Sequence, residues 1–162
     1  MQRRRYRIVH ESYLTEWLGM NFPPGTWRTN VTLGRVKVPP GAALTPEEYA
    51  YIRESFGAQA DAIVFLPDEV IIVEAMIRHE PGAVEDLLRY KDLFLTDETF
   101  KEHWRKRIRL LLLTPLELGE YEEFARRRGI EVVRYSPPWV WEYLYTYPRR
   151  FRRGKGYSTE TG

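Results

Sequence analysis

The sequence predicts an α/β fold, a mixed β-sheet flanked by helices. Four short apolar runs, Asp61 to Leu66, Val70 to Ile77, Ile108 to Leu113 and Ile130 to Tyr135, have the length and β-branched content of buried strands. The segments between the later runs carry helical periodicity, and the first two runs are split only by the short "PDE". Such an order, in which a hairpin is followed by alternating helices and strands, places parallel and antiparallel strands in one sheet. At 162 residues the chain is long enough to bury one substantial core.

The elements follow in order. Tyr13, Leu14, Trp17 and Leu18 recur at helical spacing and predict an amphipathic helix over Glu11 to Met20, which "NFPPG" breaks. From Thr29 to Val38, Val31, Leu33, Val36 and Val38 make a β-rich run with Gly34 at a bulge or turn where the alternation changes phase. In "TPEE", Thr45 is placed to cap a helix, with Pro46 at its first position and Glu48 three residues on. Tyr49, Ile52 and Phe56 form its expected buried stripe, and Gly57 its end.

Pro67 and Asp68 suit the turn of a hairpin between the runs at 61–66 and 70–77. A further helix is expected over Ala83 to Leu95, with Val84, Leu87, Leu88, Lys91 and Phe94 marking its turns. The pattern "TPLE" from Thr114 predicts another helix, ended by Gly129. Trp139, Trp141, Tyr143, Tyr145 and Tyr147 fall at every second position, which on an extended chain puts all five rings on one face. That stripe is read as a strand covering the core or a subunit interface, with a base-stacking platform as the alternative use. The expected organisation is therefore a single domain over residues 1–148, with a core at 45–135, a helix and strand within 11–38, an aromatic segment at 139–147 and a basic tail at 149–162.

Composition removes several kinds of chemistry. There is no cysteine, hence no disulfide, thiolate zinc site or thiol nucleophile. His10, His79 and His103 are too scattered to suggest a metal cluster by spacing. The Arg-rich start lacks the apolar stretch of a signal peptide, and no segment approaches a membrane span, so a cytoplasmic or virion-associated protein is expected. The net charge of +2 is unevenly spread, because nine of the 25 basic residues lie within positions 1–9 and 149–155. The remaining 16 face 22 acids between His10 and Pro148, a body of about −6 between basic ends. Basic ends on an acidic body suit a polyanion, an acidic protein surface or simple solvation.

Glu74 is the residue hardest to explain as ordinary packing, because a carboxylate among Ile71, Ile72, Val73 and Ile77 is costly to bury unless paired or bound to a cation. Antiparallel pairing of the hairpin brings Asp61 towards it. Two adjacent acids suit a hard cation such as Mg²⁺ or Mn²⁺. Asp86 and Tyr90, four residues apart on the next helix, share one face and can reach the same place.

The arrangement of Asp61, a turn, Glu74 and a helix carrying Tyr90 in "PGAVEDLLRYKDLF" resembles the PD-(D/E)XK nuclease superfamily, most closely its RecB-type and phage-encoded exonuclease branch. The resemblance spans about Thr45 to Tyr135. It implies a restriction-endonuclease-like core and Mg²⁺-dependent cleavage of DNA, with Asp61 and Glu74 as catalytic metal ligands and Asp86 as a third acid. It further implies that Tyr90 contacts DNA, to which the tail residues Arg149, Arg150, Arg152 and Arg153 add charge. The family places a lysine two residues after the glutamate and a glutamine four residues before the tyrosine; here those positions hold Met76 and Asp86. Lys91, which follows Tyr90, and Arg78, which shares the strand face of Glu74 and Met76, are the candidate cations to take over from the lysine. The alternatives are a nuclease fold without catalysis, serving as a DNA-associated or structural component of a phage particle within an oligomer or larger assembly, and an unrelated α/β domain.

Overall fold

The computed structural model describes residues 2–34 and 41–147, without the side chains of 2–4 and 53–56. Val36, Val38, the Phe56 side chain and the tail with Arg149, Arg150, Arg152 and Arg153 lie outside the described residues. Five strands form one sheet in the order β1 (Trp27–Leu33), β2 (Ala58–Phe65), β3 (Glu69–Ala75), β4 (Arg107–Thr114) and β5 (Ile130–Arg134). The first three are antiparallel and the last three parallel. This is the expected α/β class with a mixed sheet.

Each face of the sheet has its own helical layer. On one face α3 (Ala83–Phe94) and α4 (Glu120–Arg127) bury Val84, Leu87, Phe94 and Ala125 against Ile63, Ile72 and Leu112. On the other, α1 (Gln2–Asn21) and α5 (Pro138–Thr146) bury Tyr13, Leu14, Leu18 and Val140 against Val64, Ile71, Val73 and Leu113. Strands covered on both faces need continuous apolar sequence, which is why "VIIV" and "LLLL" read as unbroken runs. The crossover helices α3 and α4 both lie on the first face.

Several boundaries and two elements differ from expectation. The first helix starts at Gln2 rather than Glu11 and keeps the predicted stripe. β1 begins at Trp27 and stops at Gly34, whose φ of 85° leaves the extended region and whose amide donates to Asp97 Oδ2 at 3.1 Å. The helix α2 (Pro46–Phe56) is where "TPEE" places it, and Thr45 Oγ1 accepts from the Glu48 amide at 3.2 Å. The identical signal at "TPLE" misleads. Thr114 stays in β4, fully buried, and its hydroxyl donates to the Met76 carbonyl at 2.7 Å while accepting from the Leu116 amide at 3.1 Å. With that side chain committed to the segment just beyond β3, the helix starts only at Glu120. A 3₁₀ segment, Glu98–His103, capped by the buried Asp97, has no counterpart in the sequence reading.

The aromatic segment is the clearest correction, because residues 138–146 form α5 rather than a strand. Pro138 occupies the first helical turn after an extended Pro137, where a missing amide hydrogen costs nothing. Val140 and Leu144 are four apart and dock on the second core. Alternate residues of a helix lie 200° apart, so the five rings scatter instead of lining one face.

Candidate functional site

The site lies where the hairpin of β2 and β3 ends. In the register Ala62↔Val73, the next positions outward are Asp61 and Glu74. Asp61 also sits across from Asn30, between the pairs Thr29↔Ala62 and Val31↔Ala60, and Asn30 has a φ of 52°. Side-chain alternation reverses at this step: Trp27 and Ala62 face the second core, whereas Val31 and Ala60 face the first. The irregular step releases Asp61 from the ladder, and its Oδ2 accepts from the Ala75 amide at 2.8 Å.

Glu74 points to the α3 side, and its Oε2 is buried with no hydrogen-bond partner. Burial, then the charge of Asp61 and a shared hydrogen bond with it, then the charges of Asp86 and Glu80, push the Glu74 carboxyl up to about 10. Among the described residues no arginine or lysine forms an ion pair with Glu74 or Asp61. Without a bound metal ion this pair therefore holds a proton at neutral pH.

The expected cluster forms in part. Tyr90 is 6% exposed, and burial followed by the charges of Glu74, Asp86 and Asp61 raises its hydroxyl far above the ordinary tyrosine value. Asp86 acts on Glu74 through its charge from the first turn of α3, while its half-exposed carboxylate also pairs with Arg89 at 3.5 Å. Among the described residues, no three His, Asp or Glu side chains come close enough to form a ready-made metal cage.

Neither candidate cation forms an ion pair with Asp61 or Glu74 among the described residues. Lys91 lies half-buried in the last turn of α3, apart from the acids' ion pairs. β3 ends at Ala75, so strand alternation does not carry Arg78 onto the Glu74 face. Arg78 is held instead between the rings of Tyr6 and Tyr143, 5.0 and 5.5 Å from their centroids, and donates to the Tyr147 carbonyl. It joins α1 to α5. Replacing Arg78 with leucine is therefore expected to speed amide exchange in residues 138–147 roughly tenfold; unchanged exchange there would show that Arg78 does not hold α5 in place.

Met76 is fully buried in the first core. Its amide donates to Leu113 O at 2.8 Å, and its sulfur accepts from the Glu80 amide at 3.4 Å. The position that the resemblance assigns to lysine is thus a packed apolar one.

His10 was missed by the spacing argument. Its Nε2 lies 2.8 Å from the Ala75 carbonyl and 3.4 Å from Asp61 Oδ2, so both neighbours are acceptors and Nε2 carries a hydrogen. Burial alone would lower its pKa, but the hydrogen bond and charge of Asp61, with Ala75 and Glu80, outweigh it and lift the imidazole to about 9. α1 thus delivers a cation to the acid pair. The signal was present in the sequence: His10, Tyr13, Leu14 and Trp17 continue one helical stripe, with a titratable residue where the buried face meets the end of the sheet.

No known protein family matches the chain, and no curated protein does. A crystal structure of a repair endonuclease from Pyrococcus abyssi aligns over 79% of this chain and 47% of its own, at 17% identity and a TM-score of 0.43. This chain thus spans about half the length of that neighbour.

Proposed function

We propose that this protein is a divalent-metal-dependent DNA nuclease of the PD-(D/E)XK type, with Asp61 and Glu74 as metal ligands. The observation that carries the reading is the buried, unpartnered Glu74 Oε2 beside a second carboxylate. Such an oxygen is costly unless something satisfies it. The donor set fits Mg²⁺ or Mn²⁺, since Mg²⁺ is commonly held by one or two carboxylates and completes its shell with water and substrate phosphate. When bound, such an ion polarises a phosphodiester and lowers the pKa of a coordinated water.

The chain's own residues set that chemistry up. The Ala75 amide and His10 fix the orientation of Asp61. Burial keeps Glu74 from being satisfied by bulk water. Imidazolium at His10 supplies positive charge that neither Lys91 nor Arg78 brings, and Tyr90 and Asp86 close the α3 side. DNA as substrate rests on the PD-(D/E)XK resemblance.

A second reading, a nuclease fold without catalysis that serves a DNA-associated or structural role, is favoured by one observation: the buried Met76. The two are separated by incubating the protein with linear and circular DNA in Mg²⁺ or Mn²⁺ and in chelator, beside Glu74→Ala. Metal-dependent cleavage lost in the variant is expected. Absence of both cleavage and calorimetric metal binding would leave the second reading.

A further inference from the structure

The loops that leave the carboxyl ends of β3, β4 and β5 enclose a cleft of about 500 Å³, separate from the acid pair. Ligands of open α/β sheets favour this edge. Leu116 and Leu118 supply apolar surface, Tyr121 and Trp141 supply aromatic rings, and Arg134 and Glu117 pair beside them at 2.8 Å. The wall is fixed by other contacts. Tyr121 accepts from the Val84 amide at 3.3 Å, and His79 meets its ring edge-on with centroids 5.7 Å apart.

The rings of the C-terminal segment divide by task. Tyr143 holds Arg78, the Tyr147 ring lies 4.4 Å under the Arg5 guanidinium, and Trp139 donates to Glu16 of α1. Trp141 and Tyr145 join neither group: their rings are 6.1 Å apart, Trp141 lines the cleft and Tyr145 is 81% exposed. The Trp141 indole is held by Ser136 Oγ, which fixes its plane. An oriented indole lining a cleft, with an exposed ring beside it, is a surface for another planar group.

Charge narrows the choice. Glu117 and Arg134 line the cleft and neutralise each other as an ion pair, so the lining offers no free cation to a phosphate. The group that fits is flat, uncharged and edged by both donors and acceptors, matching the Arg134–Glu117 pair. We propose that this cleft binds an unstacked nucleobase of a single strand, stacked on Trp141, with the strand's phosphates outside. Naming nucleic acid as the ligand rests on the nuclease reading; the cleft's geometry does not.

The test is binding of the full chain, in chelator so that hydrolysis plays no part, to a labelled oligothymidylate of about 12 nucleotides and to an abasic strand of equal length. The base-containing strand is expected to bind roughly tenfold more tightly. Trp141→Ala should erase that ratio, Trp141→Phe should keep most of it, and Trp139→Ala on the same helix should leave it unchanged. Equal affinities for the two strands, or an unchanged ratio in Trp141→Ala, would overturn the proposal. So would equal loss in Trp139→Ala, which would trace the effect to α5 as a whole, or displacement of the strand by free thymidine at comparable concentration. Cleavage that depends on Glu74 without strand discrimination would sink this proposal alone, and discrimination without cleavage would leave it standing.

Discussion

Glu74→Gln is expected to raise the melting temperature of the metal-free protein at pH 8 by roughly 5–10 °C and to remove most of its decline with pH. The folded Glu74 carboxyl titrates near 10, against an ordinary value of 4.5. A folded pKa above the unfolded one means that the stability carried by the bound proton is fully present below about pH 4.5 and is lost as pH rises through 10. At pH 8 that loss is on the order of a few kcal/mol. A glutamine amide can donate to Asp61 as the protonated acid does, and it never ionises.

His10 acts in the same direction, present below about pH 6.5 and lost through about pH 9, so a smaller slope should survive in the variant. Scanning calorimetry from pH 5 to 9 in chelator measures both. Added Mn²⁺ should stabilise the wild type increasingly as pH rises and leave Glu74→Gln unmoved. Parallel melting curves for the two proteins would show that Glu74 is not buried beside Asp61 as described.

Met76→Lys, which introduces the lysine that the PD-(D/E)XK pattern has at this position, is expected to destabilise the metal-free protein by about 1–4 kcal/mol, while Met76→Leu changes it by less than about 1.5. Met76 has no exposed surface and packs with Val84, Leu87 and Tyr90. An ammonium there loses its hydration, which attraction to Glu74 and Glu80 repays only in part. Urea titration gives the difference directly. A lysine variant as stable as the wild type would mean that the pocket accommodates the charge.

Much of the fold was legible because it depends on local pattern. The four apolar runs became β2 to β5 since strands buried on both faces must be apolar throughout. Thr45, Pro46 and Glu48 marked a helix because a cap needs only its own backbone. Thr114, with the same motif, failed because the Met76 carbonyl, just beyond the end of β3, took its hydroxyl. The aromatic stripe failed because the two-residue repeat of its rings hid the four-residue spacing of Val140 and Leu144, which do the packing.

By itself the sequence determined the four apolar strands, the encounter of Asp61 with Glu74, and the company of Asp86 and Tyr90, because hairpin register and helical periodicity fix those relations from spacing. Tertiary structure alone decided where the cations go. Arg78 was drawn between tyrosines of α1 and α5, and His10 was carried across 65 residues of sequence to the Ala75 carbonyl. A long charged side chain follows whichever distant partner best repays its lost hydration, and no spacing along the chain records that choice.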